Sequence, residues 1–323
     1  MESQSFYTLF HPLITYLSKR HIMKFRYLFY ALLACSGSWL NSCSDDEDDG
    51  PVLPSSINRN ANPTSIAHAG RLEMPRLKGG STNLFLVHST PAYGINLCIE
   101  WDCTKRAQRW TAYQLYASNS VVNWNRNEWN HTEWEGDPFQ IDKSIPSAYR
   151  TTLEQYRGSG YNRGHICPSA DRLCSKDANE QTYYLSNIQP QRYGFNTGVW
   201  LEMENKLRTW NHASFRDTLY IVKGGTIDRA DQIIHTTSKG LLVPKYYFMA
   251  ILCKNKSQSQ YGYKALAFWA EHKDNPDKNL RKYVISIDEL EARTGIDFFC
   301  NLPDEIENQV ERNLVPTAWG FPN

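Results

Sequence analysis

Between residues 196 and 210 apolar side chains recur at three- and four-residue steps: Val199, Trp200, Met203, Leu207 and Trp210. That step matches an α-helix with one buried face. It does not match a strand, whose faces alternate every second residue. Asn196, Trp200, Glu204 and Arg208 stand at i, i+4, i+8 and i+12. At about 100° per residue they drift only about 120° in total, along one edge of the apolar stripe. A helix is therefore expected from Asn196 onward, packing inward while Asn196, Glu204 and Arg208 line a groove. Taken alone, Glu204 and Arg208 would be an i, i+4 ion pair worth roughly 0.2–0.5 kcal/mol.

His165 stands 31 residues before Asn196, inside Tyr161-Asn162-Arg163-Gly164-His165-Ile166-Cys167-Pro168-Ser169-Ala170-Asp171-Arg172. A histidine can take a proton from water near neutral pH. An asparagine amide oxygen is a hard ligand that suits Mg²⁺. Arginines can neutralise charge building on a phosphate. Gly158 and Gly160 allow a tight backbone at the entrance to this stretch. Gly164 is either a turn residue or a place where a Cβ would block the approach of a phosphate.

Together these residues resemble the DNA/RNA non-specific endonucleases of the ββα-metal superfamily. Their pattern is Asp-Arg-Gly-His, then an Asn followed by Glu and Arg at the spacing seen here. The resemblance places His165 on the general base, Asn196 on the direct protein ligand to Mg²⁺, and Glu204 on the carboxylate that orients water around the ion. Arg208 falls on the arginine beyond it, and Arg163 on the motif arginine. Arg126 stands in a segment where the family has a substrate arginine, and a solvated surface arginine fits equally. Leu185 to Gln191 resembles the strand before the metal loop; Leu290 to Gly295 and Leu302 to Glu305 resemble the C-terminal helices. The likeness runs from about Asn83 to Glu311. It departs at Asn162, where the family has Asp. It implies a cofactor, Mg²⁺ or Mn²⁺, DNA and RNA as substrates, and cleavage with little sequence preference that leaves 5′-phosphate ends.

Charge is nearly balanced at +1 over 323 residues. The first fifty residues carry four Lys/Arg against six Asp/Glu, and the remainder 31 against 28. Such a balance argues against a protein that coats DNA stoichiometrically, but an enzyme releasing a polyanionic product needs only a local basic groove. Met23-Lys24-Phe25-Arg26 opens a basic stretch, and Tyr27 to Leu40 is mostly apolar yet short for a membrane span. We read this as a secretory signal beginning at Met23. Leu40-Asn41-Ser42-Cys43 before an acidic run resembles the surface-export signal of Bacteroidetes lipoproteins, with Cys43 as lipid anchor and the outer membrane as destination. Leu32-Leu33-Ala34-Cys35 is a competing lipid site, and a signal anchor followed by an acidic linker is the other reading. If Cys35 and Cys43 are so used, six cysteines remain: Cys98, Cys103, Cys167, Cys174, Cys253 and Cys300. An even number in an exported chain predicts disulfides, with fifteen possible pairings.

The expected organisation is an N-terminal extension and signal over 1–43, a flexible tether over 44–82 and a nuclease-like domain over 83–323. The tether expectation rests on an Asp-, Asn-, Pro-, Ser- and Gly-rich composition. Trp110 to Tyr116 and Leu219 to Gly225 read as strands, and Tyr246 to Cys253 with Tyr263 to Ala270 as a hairpin. Residues 119–147 read as a long surface loop. Ser286 to Glu289 reads as a helix start, Gly295 as a helix stop and Pro303 as the first turn of a last helix. Strands and helices mix without βαβ alternation, so the expected class is α+β. The family implies a largely antiparallel central sheet flanked by helices. Two rivals to an enzyme are an inactive nuclease-like protein that binds nucleic acid, and a lipid-tethered structural envelope protein.

Overall fold

The structure is a computed structural model that describes residues 56–128, 136–255, 262–275 and 277–322. In chain order its regular elements begin with β1 (Asn83–Thr90), β2 (Gly94–Asp102), β3 (Ala107–Tyr116), α1 (Leu153–Tyr156), β4 (Asn162–His165) and α2 (Lys176–Gln181). They continue with β5 (Ile188–Gln191), α3 (Tyr193–Phe195), α4 (Leu201–Trp210), β6 (Thr218–Gly225), β7 (Ile233–Thr236) and β8 (Leu242–Pro244). They end with β9 (Tyr246–Lys254), β10 (Tyr263–Glu271), β11 (Val284–Ile285), α5 (Ile287–Thr294) and α6 (Asp304–Arg312).

A seven-stranded antiparallel sheet in the order β1-β2-β3-β6-β9-β10-β11 is the frame. Its strands β6 and β9 are mostly apolar because both faces of the sheet are covered. Along β9 the faces alternate: Tyr247, Met249, Ile251 and Cys253 meet the stripe of α4, while Phe248, Ala250 and Leu252 meet Ile287 and Leu290 of α5 and Ile306 and Val310 of α6. The α+β class with helices flanking an antiparallel sheet is as expected. So is the α4 stripe, whose five apolar residues are all buried. Ser286 caps α5 by accepting the Glu289 N–H at 3.1 Å, and Gly295 ends it with φ 70°, a left-handed conformation that a Cβ disfavours. Pro303 sits one position earlier than expected, as the cap of α6. Among the described residues no helix is long and apolar enough to cross a membrane.

Two expectations need correction. Residues 56–82, read as part of a tether, lie against the domain. Met74 and Ala69 are fully buried, Asn62 donates to Ala69 O and Pro75 O, and Asn58 donates to Cys300 O at 2.9 Å. The composition misled because this segment is held by side-chain amides against backbone carbonyls more than by apolar mass. The earlier part of the tether, the signal and Cys43 lie outside the described residues. The six cysteines are free thiols, each buried. Cys98 belongs to the core on one face of the sheet, Cys103, Cys167 and Cys253 to the core on the other, and the Cys300 thiol donates to Met74 O at 3.6 Å. They fill space as small apolar groups, and burial pushes the Cys167 thiol up to about 12.

Candidate active site

A second, two-stranded sheet pairs β4 with β5, setting Asn162 opposite Gln191 and His165 opposite Ile188. Gly164 is required by this ribbon itself: a Cβ there would fall 2.3 Å from the side chain of Gln191, which is fully buried. The glycine therefore makes room for a neighbouring amide; phosphate access is not what demands it.

The chain leaves β5 through α3 and then kinks between Asn196 and Trp200 before regular helix starts at Leu201. Gly198 interrupts the helix, with φ −103° and ψ −115°. The continuous helix expected from Asn196 is thus broken, and Asn196 is freed from the phase of α4 and sits half-exposed on the turn. The break is anchored by Trp200, whose Nε1–H donates to the His165 carbonyl at 3.2 Å. His272 braces the other end: its Nε2 accepts the Arg192 N–H at 2.7 Å and its Nδ1 lies 2.8 Å from Pro244 O. That pairing is satisfied by a neutral ring, and burial pushes the imidazole down to about 4.

His165 projects from β4 between aromatic rings, edge-on to Tyr183 at 4.8 Å and 5.3 Å from Phe139. Its Nε2 is buried and has no hydrogen-bond partner among the described residues. Burial, then the positive charges of Arg126, Arg163 and Lys223, push its pKa down to about 3. The ring is neutral near neutral pH, with a nitrogen free to accept a proton. Arg163 lies 4.0 Å over the Phe139 ring and pairs with Asp137 at 2.6 Å. Arg126 donates to Ser169 Oγ at 3.0 Å.

Glu204 and Arg208 stand on successive turns of α4 but pair elsewhere. Glu204 is buried and lies 3.2 Å from the ammonium of Lys223, a fully buried residue of β6. Arg208 pairs with Asp171 at 2.9 Å, and Asp171 also accepts the Tyr113 hydroxyl at 3.0 Å. The i, i+4 pair is therefore not formed. Burial raises the Glu204 carboxyl above its usual range despite Lys223. Lys223, Asp171 and Asp137 were missed from sequence. Lys223 had a signal, the lone charge in the strand run Leu219 to Gly225, and Asp171 stands in the histidine stretch itself. Asp137 sits in a polar loop where one acidic residue is unremarked.

The oxygens of Asn196 and Glu204 are a hard donor set, and the His165 Nε2 is a buried polar atom with no partner among the described residues. Both features fit Mg²⁺ or Mn²⁺. A groove of about 390 Å³ lined by Arg192, Lys245, Glu271, His272 and Lys273 opens where the chain enters the turn to Asn196.

Strand, strand and helix carry histidine, asparagine and glutamate on one frame, the order of elements expected from the resemblance to the ββα-metal nucleases. A family profile described as DNA/RNA non-specific endonuclease matches residues 92–305. The chain is 29% identical over 223 residues to a nuclease of Nostoc, an alignment covering 67% of this chain and 75% of that one. It is 26% identical to a nuclease of Serratia marcescens, covering 76% and 86% of the two chains. It is 30% identical to the mitochondrial nuclease EXOG of Xenopus laevis, covering 64% of this chain and 58% of EXOG, which is under two thirds of that relative's length. The crystal structure of the EndoG/EndoGI complex contains a chain of the same fold, with TM-score 0.56 at 21% identity, covering 69% of this chain and 89% of that one. The protein belongs to the DNA/RNA non-specific endonuclease family.

Proposed function

We propose that this protein is an exported, divalent-metal-dependent endonuclease that hydrolyses DNA and RNA with little sequence preference and leaves 5′-phosphate and 3′-hydroxyl ends. The observation that carries the reading is the His165 Nε2, buried and unpaired, on the same ββα frame as Asn196 and Glu204. His165 takes a proton from water as its oxygen attacks phosphorus. The bond to the 3′ oxygen breaks, and that oxygen takes a proton from solvent. A phosphodiester anion seated beside the ring raises the His165 pKa toward the working range, because it stabilises the imidazolium. Arg163 and Arg208 neutralise charge that builds on the phosphate. Asn196 would hold the ion, and Glu204, kept in place by Lys223, would orient its hydration. Bound Mg²⁺ or Mn²⁺ supplies Lewis-acid stabilisation of the same charge. Arg192, Lys245 and Lys273 offer phosphate contacts blind to base identity, which favours weak sequence preference.

The full-length protein should cut supercoiled plasmid and RNA with Mg²⁺ or Mn²⁺ and stop when EDTA is added. Its products should be ligatable through 5′-phosphates. His165→Ala should lower turnover by about 10²–10⁴-fold while DNA affinity is kept. DNA binding without cleavage under every metal would replace the enzyme with a binding protein. For export, we propose lipid on Cys43, which mass spectrometry of the mature N-terminus would reveal; an unmodified Cys43 refutes it.

A further inference from the structure

On the face of the central sheet opposite α4, α5 and α6 pack side by side. Asp288 and Glu291 of α5 and Glu311 of α6 each bring a carboxylate oxygen to one place, all within 4.8 Å of one another. A cation held at about 2.3–2.6 Å by each oxygen keeps its ligands within about 5 Å of each other, so the spacing suits one ion. Glu311 is only 6% exposed, and its Oε1 is fully buried with no hydrogen-bond partner among the described residues. Glu291 is oriented by the Phe298 N–H, which it accepts at 2.7 Å.

The surroundings add negative charge. Glu307, 5% exposed, accepts the Asn60 amide at 2.8 Å, and the same amide reaches Asp297. Among the described residues no lysine or arginine pairs with Glu291, Glu307 or Glu311. Arg312, at 4.0 Å from Asp288, is mostly in solvent. Glu291 and Glu311 both stand in the last turn of their helices, where the helix dipole disfavours negative charge. Burial raises the Glu291 carboxyl to about 8 and the Glu311 carboxyl to about 10.

The geometry points to a structural site for a hard divalent cation of the Ca²⁺ class, formed by Asp288, Glu291 and Glu311 and clamping α5 to α6. Oxygen-only ligands at this spacing suit Ca²⁺ better than Mg²⁺, which dehydrates reluctantly and needs stricter geometry. The site lies across the sheet from the catalytic frame, so its ion takes no part in cleavage.

The test is thermal unfolding of the full-length protein carrying Asn196→Ala, so that an ion at the active site does not contribute. With Ca²⁺ added, Tm should rise by several degrees and saturate with a midpoint of about 0.1–1 mM. Glu311→Gln and Glu291→Gln in the same background should lose the rise. In EDTA both should melt close to the parent, since neither carboxylate pairs with a lysine or arginine among the described residues and a Gln oxygen still accepts the Phe298 N–H. With Asn196 intact, Glu311→Gln should cut DNA at the parent rate. Equilibrium dialysis should find one Ca²⁺ per chain in the Asn196→Ala parent and none in its Gln variants. No rise in the parent up to about 10 mM Ca²⁺, or an equal rise in parent and variants, would overturn the site.

Discussion

Asn162 stands where the family pattern has aspartate, yet Arg163 does not lack a carboxylate. Asp137, from the loop before Gln140, pairs with it at 2.6 Å and so supplies from another segment the charge missing at position 162. No hydrogen bond joins the Asn162 side chain to other described residues. Both members of the Arg163–Asp137 pair are about a third exposed, so the pair is worth up to about 1 kcal/mol. Asp137→Ala should therefore lower kcat/KM by up to about fivefold. Adding Asn162→Asp should restore most of the loss, and an unchanged rate in Asp137→Ala would end the idea. Asn162→Asp alone adds a negative charge three residues from His165 along β4, which favours the imidazolium. It should raise the ring's pKa from about 3 and shift the acid limb of the pH–rate profile toward alkaline values. A limb moving toward acid would contradict the sign.

The element that carries most of the electrostatics is β6, through Lys223 beneath α4. Burial raises the Glu204 carboxyl, so in the folded protein its ionised form is the costly one. The penalty is absent below the unfolded pKa and grows as pH rises above it. Lys223→Met removes the compensating charge and should destabilise the protein by about 3–5 kcal/mol near neutral pH. The loss should be smaller at pH 4 than at pH 8, because protonation of Glu204 relieves it. Lys223→Met with Glu204→Gln should regain most of the stability and none of the activity. Urea titrations at the two pH values check this, and equal losses at both would mean that Glu204 is not the residue left stranded. The kink at Gly198 is the second device at this scale. It lets one segment belong both to the buried stripe, through Val199 and Trp200, and to the open site, through Asn196.

At the scale of the whole molecule, residues 56–82 close the back of the domain. Arg59 pairs with Asp304 at the start of α6, Arg76 N–H donates to Asp297 O, and Lys78 N–H donates to Glu100. A chain begun at residue 83 loses buried Met74 along with the Asn62 amide that bonds two carbonyls. It should melt well below the full-length protein, because losing one fully buried Met already costs about 1.5–3 kcal/mol. Calorimetry of the two chains decides the matter, and equal Tm values would make the segment a passenger. The candidate active site and the proposed cation site lie on opposite faces of one sheet: the first over β6 and β9, the second between α5 and α6.

The periodicity of Val199, Met203 and Leu207, the apolar run from Tyr246 to Cys253 and the capping signals at Ser286 and Gly295 were enough to read the elements. Each depends only on residues close in the chain. The candidate residues His165, Asn196, Glu204 and Arg208 were legible for a related reason, since their spacing is a local pattern. What holds them was not legible. Lys223 finds Glu204, Asp171 finds Arg208 and Asp137 finds Arg163 across separations that no local period encodes. The same holds for the cysteines, whose even number suggested bridges while the fold assigned them to cores on both faces of the sheet. Local rules set helix, strand and motif; tertiary structure alone decided which charges were buried, and burial decides which partner each charge must have.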